Sequence, residues 1–144
     1  MSEERVSPVI PFLRYRDAPG AIAWLVRAFG FKENMVVPGP DGTITHAQLQ
    51  FGDTGMIMLG SVREDPDVLG MKTPAQAGGV TQGIYVSVDE VDSHYARAAA
   101  AGAGIVRPPE DTDYGAREYA ARDLEGNLWS FGTYRPKAGS SGAT

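Results

Sequence analysis

Two series of apolar and polar positions follow one another along the chain, and each predicts a helix packed on a short sheet. In the first series, apolar residues recur at the spacing of one helical face, at Ile22, Leu25, Val26 and Phe29. The carboxylate of Asp17 can cap the start of this helix, and Gly30 suits the left-handed residue that follows a last turn. The pattern therefore predicts an amphipathic helix that begins after Asp17 and ends before Gly30.

The same order of signals occurs a second time, 72 positions later. The run that opens at Asp17 corresponds to the run that opens at Asp89, which predicts a second, Ala-rich helix over 91–101. The same offset places Glu118 opposite His46. Because two copies are too few to form a solenoid, the repeat predicts a pair of modules related by a pseudo-twofold axis.

Short alternating segments bounded by Gly, Pro and Asp predict four strands in each module. They are expected at 9–15, 32–37, 44–51 and 55–60 in the first module, and at 83–88, 105–107, 116–123 and 127–134 in the second. Each module then has the order βαβββ, and the fold class is α+β. The modules are assigned to 6–61 and 82–136, with a linker or lid loop at 62–81 and a disordered tail at 137–144.

Alternation along each strand assigns one face to the helix and the other to a hollow. Trp129 and Phe131 are large and apolar and are expected beneath a helix, which turns Ser130 to the other face. The candidate ligand-binding residues that this rule assigns to the hollow are Phe12, His46, Gln48, Met56, Met58, Tyr85, Glu118 and Ser130. Thioether and aromatic groups suit loosely specified binding of a flat ligand.

The net charge and the absence of cysteine limit the functional classes to which the protein can belong. The 144 residues carry a net charge of −5 and no cysteine, which disfavours nucleic-acid binding and excludes a disulfide framework or a thiolate metal site. No apolar run approaches the ~20 residues that cross a bilayer, and the first residues do not open a signal peptide. We therefore expect a cytoplasmic protein with a small-molecule partner and with neither a nucleic-acid nor a membrane partner.

The stretch from Tyr114 to Gly132, together with the paired βαβββ modules, resembles the vicinal oxygen chelate superfamily. Its Asp-Leu-Glu-Gly-Asn hairpin at 123–127 follows an alternating strand, and the similarity covers residues 6–136. The family includes glyoxalase I, extradiol dioxygenases and bleomycin-binding resistance proteins. The resemblance implies an incomplete mixed β-barrel cup with helices outside, and a homodimer. The cup is either formed within one chain or shared between two.

Metal-dependent members of that family hold one divalent ion at four inward positions. The resemblance places these positions at Ile10, Met58, Gly83 and Ser130. Ile10 and Gly83 offer no side-chain donor, a thioether prefers soft ions, and a lone serine hydroxyl binds hard ions weakly. We therefore expect a metal-free member of the family, with no cofactor.

Two functions remain open from the sequence. The first is a metal-independent binding protein of the glyoxalase/bleomycin-resistance type, which holds a largely planar organic ligand in the cup. The alternative is a cofactor-free lyase or isomerase on a small oxo or hydroxy compound, with His46 or Glu118 as general base. The simplest interpretation of this pair is that each group lines a wet cup without touching the other. His94 is expected to be a partly buried helix residue.

Overall fold

The described residues of the chain form two four-stranded sheets and three α-helices. The computed structural model describes residues 6–63 and 68–139, so 64–67 of the predicted linker and 140–144 of the predicted tail lie outside the described residues. The strands are β1 (Phe12–Tyr15), β2 (Lys32–Pro38), β3 (Ile44–Phe51), β4 (Gly55–Ser61), β5 (Gly83–Ser87), β6 (Gly104–Asp111), β7 (Arg117–Arg122) and β8 (Leu128–Gly132). The helices are α1 (Ala18–Phe29), α2 (Pro74–Ala77) and α3 (Val91–Ala100).

The two sheets have the same topology. Sheet A has the strand order β1-β4-β3-β2, and sheet B has the order β5-β8-β7-β6. In each sheet the first and last strands of the module pair in parallel, and the other neighbours are antiparallel. This confirms the predicted α+β class. No helix in the described part of the chain is long and apolar enough to cross a membrane.

The ends of α1 are those that the sequence predicts. The Gly20 amide donates a hydrogen bond to Oδ1 of Asp17 at 3.1 Å, which satisfies a free amide of the first turn. Gly30 follows the helix with a φ of 86°, in the left-handed region where a glycine is least strained. The local signals at both ends therefore fix the length of α1.

The start of α3 differs from the prediction. The residue before the helix is Glu90 instead of Asp89, and its side chain makes no capping hydrogen bond. The Asp89 carboxylate accepts a hydrogen bond from Arg135, which lies 46 residues further along the chain. The Asp89 carboxylate, which the local pattern assigns to the start of α3, therefore forms a tertiary ion pair instead of a helix cap.

Three further elements depart from the predicted bounds. β1 begins at Phe12, after Pro11, which has no amide to donate to a ladder. β6 is longer than the predicted 105–107 but has two register irregularities. α2 lies in the predicted linker and has a capping box between Thr73 and Gln76, a signal that was present in the sequence but too short to predict a helix.

The helix-bearing faces of both sheets are buried in one shared core. The ring of Phe29 on α1 lies 5.4 Å from the ring of Trp129 and 4.6 Å from that of Phe131, both on β8. Nε1 of Trp24 donates to the carbonyl of Ala101 at 2.7 Å, joining α1 to the end of α3. The residues predicted to face the helices are buried as expected, including Ala47, Leu49, Ile57, Leu59, Tyr119, Trp129 and Phe131. The two modules therefore stabilise each other through apolar burial.

His94 lies at the junction of the modules, partly buried as predicted. One ring nitrogen, Nε2, is 2.8 Å from the carbonyl of Phe29, and the other, Nδ1, is 2.6 Å from the hydroxyl of Tyr119. Because a carbonyl can only accept, Nε2 carries the proton, and Nδ1 accepts from Tyr119. Burial lowers the pKa of His94 below its ordinary value, so the neutral ring is the form that fits this junction.

Asp123 is a second junction between the modules. Its buried carboxylate accepts hydrogen bonds from the Tyr15 hydroxyl at 2.6 Å and from Nε1 of Trp129 at 3.0 Å. It also accepts from the amides of Glu125 and Asn127, each at 3.0 Å, which closes the β7–β8 hairpin. Burial, together with the nearby Asp123 charge, raises the pKa of Tyr15 well above its ordinary value. One carboxylate therefore fixes both the hairpin and its contact with β1.

Replacing Asp123 by Asn is expected to lower the free energy of unfolding by roughly 2–4 kcal/mol, since the amide leaves buried donors unpaired. Urea denaturation followed by circular dichroism measures the change. Asp113→Asn is the matched control, because Asp113 lies on an exposed turn and should change stability by less than about 0.5 kcal/mol. Equal stability of the two variants would contradict the assigned role of Asp123.

Acidification is expected to destabilise the protein through His94. The unfolded chain titrates this histidine near its ordinary pKa of about 6.5, whereas the folded chain does so at lower pH. Below neutral pH the unfolded state therefore binds more protons, and the free energy of unfolding falls as the pH drops from about 7 toward the lowered pKa. Urea denaturation across this window should show that the free energy of unfolding depends less steeply on pH in His94→Gln than in the wild type. The same pH dependence in both proteins would contradict the role assigned to His94.

Candidate functional site

One rung of sheet A, meaning a row of side chains in register across its four strands, lies on the face opposite α1. The rung contains the candidates Phe12, Met58 and Gln48, and also Met35. Residues in register point to the same side of a sheet. Phe12 is 46% exposed although it is a large apolar residue. Met56 points to the same side one rung away, in register with Gln50. Sheet A therefore offers a partly open apolar surface.

Two polar candidates on sheet A are bonded to each other. Nε2 of His46 is 2.9 Å from Oε1 of Gln48, and Nε2 of Gln48 donates to Oδ1 of Asn34 at 2.8 Å. Since an amide oxygen only accepts, the His46 ring donates through Nε2. The imidazole is thus oriented by Gln48, and Gln48 by Asn34.

The matching face of sheet B carries Tyr85, Ser130 and Glu118. Tyr85 and Ser130 are register partners, and Glu118 lies one rung away, opposite Gly132. The Glu118 residue is only 8% exposed. The hydroxyl of Tyr114 lies 2.9 Å from each of its carboxylate oxygens, and Nη2 of Arg107 lies 3.7 Å from Oε1. A buried, charged acceptor is therefore held at this face.

Gly132 is needed for Glu118 and Tyr85 to approach each other. A Cβ at this position would lie 2.5 Å from Cγ of Glu118 and 2.6 Å from the Tyr85 hydroxyl, distances that real Cβ atoms do not adopt. Burial raises the pKa of Tyr85, with a further contribution from the Glu118 charge. The hydrogen bond to Glu118 raises the pKa of Tyr114. Both phenols are therefore protonated donors at neutral pH.

A cleft of about 450 Å³ lies between β1 and β5 and is bounded on one side by the segment that includes α2. Its lining includes Ile10, Phe12, Arg14, Met71, Thr73 and Tyr85. Its volume is within the range of roughly 300–1,000 Å³ that is usual for small-molecule pockets. The cleft unites Phe12 and Tyr85 from the predicted set, while His46, Gln48, Met56, Met58, Glu118 and Ser130 are not part of this lining.

His46 and Glu118, which the sequence offers as candidates for an acid–base pair, make no hydrogen bond to each other among the described residues. His46 contacts Gln48 on sheet A, and Glu118 contacts Tyr114 and Arg107 on sheet B. Each group thus has a side-chain partner from its own module.

The four positions that the resemblance assigns to a metal do not carry suitable donors. Ile10 and Gly83 line the cleft, and Met58 and Ser130 are register partners of Phe12 and Tyr85. Over residues 6–63 and 68–139, no group of three or more His, Cys, Asp or Glu side chains converges in a way that could hold an ion. A hydrocarbon, a thioether, a glycine and one hydroxyl do not fit a hard divalent cation.

Tyr114 and Arg107 are neighbours of Glu118 that were not predicted from the sequence. Tyr114 reaches the carboxylate because Thr112 and Ala116 close the intervening turn with hydrogen bonds through the backbone and the threonine hydroxyl. The i, i+4 spacing of Tyr114 and Glu118 gives no signal outside a helix. Only the turn geometry makes the contact recognisable.

The chain is similar to solved structures with the same two-module fold. It is 40% identical to TioX from Micromonospora sp. ML1, over 94% of this chain and 100% of that chain, with a TM-score of 0.68. A glyoxalase I mutant from Zea mays matches 87% of this chain and 43% of its own, with 19% identity and a TM-score of 0.63. This second likeness concerns the fold alone.

Relatives are also found by sequence. The chain is 37% identical, over 130 residues, to an uncharacterised protein of Mycobacterium bovis, a match that covers 88% of this chain and 84% of the relative. Uncharacterised proteins of Mycobacterium tuberculosis are equally similar and are covered over 75% of their length. The family model described as Glyoxalase/Bleomycin resistance protein/Dioxygenase superfamily matches residues 7–131. With that match over most of its length and with paired βαβββ sheets, the chain belongs to the glyoxalase/bleomycin resistance protein/dioxygenase superfamily.

Proposed function

We propose that this protein is a metal-independent, cytoplasmic small-molecule binding protein that holds a largely planar organic ligand between its two sheet faces. The observation that carries the proposal is the cleft of about 450 Å³, in which Phe12 and Tyr85 offer aromatic surface beside a few polar groups. Pockets of this size and character bind small organic molecules. The family description includes a resistance protein named for a small molecule, which is consistent with this role.

Binding is favoured over the lyase or isomerase alternative because the two candidate bases are not arranged as a pair. An acid–base pair requires both groups to lie within hydrogen-bond reach of the proton that is transferred. His46 donates to Gln48, and Glu118 accepts from Tyr114. Each contact orients a polar group for recognition, and no hydrogen bond links the two groups to each other as an acid–base pair.

We propose further that a second copy of the chain completes the hollow. The rung of Phe12, Met58, Gln48 and Met35 on sheet A is apolar over most of its length, and Val37, in register with His46, extends it. Phe12, Met35 and Val37 are all more than 40% exposed. An apolar face of this kind on a globular chain is typical of an interaction surface, and a homodimer would set sheet A of one protomer beside sheet B of its partner.

Replacing Tyr85 by Ala is expected to weaken binding of naphthylmethanol, a flat neutral probe, by roughly 10-fold or more, because the aromatic contact area is lost. Isothermal titration calorimetry measures the dissociation constant. Leu124→Ala is the control, since Leu124 is an exposed apolar residue in the β7–β8 turn. The proposed function would be contradicted if the two variants bound the probe equally, or if the wild-type protein bound neither this probe nor a charged analogue of the same shape.

In solution the protein is expected to have twice the chain mass of 15.4 kDa. Met35→Asp places a charge on the proposed interface and should raise the dimer dissociation constant by roughly 10-fold or more. Size-exclusion chromatography with light scattering, over a concentration series, follows the change. Leu124→Asp introduces the same charge in the exposed turn and should leave the mass unchanged. A wild-type protein of single-chain mass at every concentration would refute the homodimer.

A further inference from the structure

Among residues 6–63 and 68–139, the groups next to the Glu118 carboxylate use only part of its acceptor capacity. A carboxylate offers about four acceptor positions. Its described hydrogen-bond donor is the single hydroxyl of Tyr114, shared between both oxygens at 2.9 Å. Arg107 is at 3.7 Å, an ion pair beyond hydrogen-bond distance. The Tyr85 hydroxyl donates to the carbonyl of Tyr134 at 3.1 Å and lies within interaction distance of Glu118, so together the two phenols use at most two of the four positions.

Tyr114 and Tyr85 lie beside this carboxylate, and a third tyrosine, Tyr134, packs against them. Tyr114 and Tyr134 pack edge to face with ring centroids 5.8 Å apart, and Tyr85 is joined to Tyr134 by the hydrogen bond just described. All three rings are exposed at the surface of sheet B although the carboxylate between them is buried. Aromatic faces attract cations, and the attraction grows when water is excluded. The exposed rings therefore form a wall around a buried negative charge.

The charges around this wall are predominantly negative. Arg107 contacts Glu110 and Glu118. Two carboxylates thus face one guanidinium group. An anionic ligand would be repelled at this surface, and a cationic one would be attracted.

We propose that Glu118, with Tyr85, Tyr114 and Tyr134, forms a subsite for a positively charged nitrogen that carries N–H groups, as in a protonated amine or amidine. The inference rests on the proposed function, because the subsite occupies the same ligand-facing side of sheet B. The N–H groups would donate to the unused acceptor positions of Glu118, a charge-assisted pairing stronger than that between neutral groups. The three rings would cover the remainder of the cation, and the flat part of the ligand would extend along the sheet.

Three probes of the same shape and different charge test the subsite. They are naphthylmethylamine, which is protonated at pH 7, neutral naphthylmethanol, and anionic naphthoate. By calorimetry the amine should bind at least roughly 10-fold more tightly than the alcohol, and naphthoate most weakly. Glu118→Gln should abolish the preference for the amine over the alcohol.

A matched control separates this subsite from general electrostatics. Glu110→Gln removes the same charge nearby, but the Glu110 side chain is 58% exposed, so the amine preference should persist. Arg107→Gln removes a competing cation and should strengthen amine binding by roughly 2-fold or more, which tests the subsite even if Glu118→Gln fails to fold. Equal binding of amine and alcohol to the wild type, or loss of the preference in Glu110→Gln, would overturn the subsite and leave the proposed function standing. Failure of all three probes to bind would overturn the proposed function itself.

Discussion

Burial of both helix-bearing faces in one core is the constraint on which the rest of the structure depends. Phe29 on α1 contacts Trp129 and Phe131 of the other module, so neither sheet has its apolar side covered by its own helix alone. Every strand then divides its side chains between the core and the opposite surface. The candidate ligand-binding residues lie on that second surface, where they can vary without disturbing the packing that stabilises the fold.

The division between these two faces could be predicted from the sequence because it follows from a period of two. Trp129 and Phe131 are large and apolar, which determines where Ser130 must point. The internal repeat then extends this assignment from one module to the other and aligns His46 with Glu118. The order of the elements and the face of each candidate residue were therefore accessible from local pattern alone.

Contacts made by loops and distant segments were not accessible in this way. Tyr114 reaches Glu118 only because the turn at 112–116 closes. Asp89 has the spacing of a helix cap, but it pairs with Arg135 from the far end of the module. In both cases the outcome depends on a tertiary geometry that residue type and spacing do not encode. The hydrogen-bond partners of His46 and Glu118 could not be predicted either. Alternation gives the face of the sheet on which a residue lies, but not the side chain that it contacts there.

Gly60 and Gly132 occupy equivalent positions in the two modules, and each leaves space for a side chain from elsewhere. A Cβ at Gly60 would lie 3.4 Å from Nη1 of Arg14, and one at Gly132 would lie 2.6 Å from the hydroxyl of Tyr85. The space beside the glycine is thus occupied by a guanidinium in the first module and by a phenol and a carboxylate in the second. The two modules therefore carry different charges at equivalent positions, and an asymmetric molecule that lies across both would have one preferred end-to-end orientation.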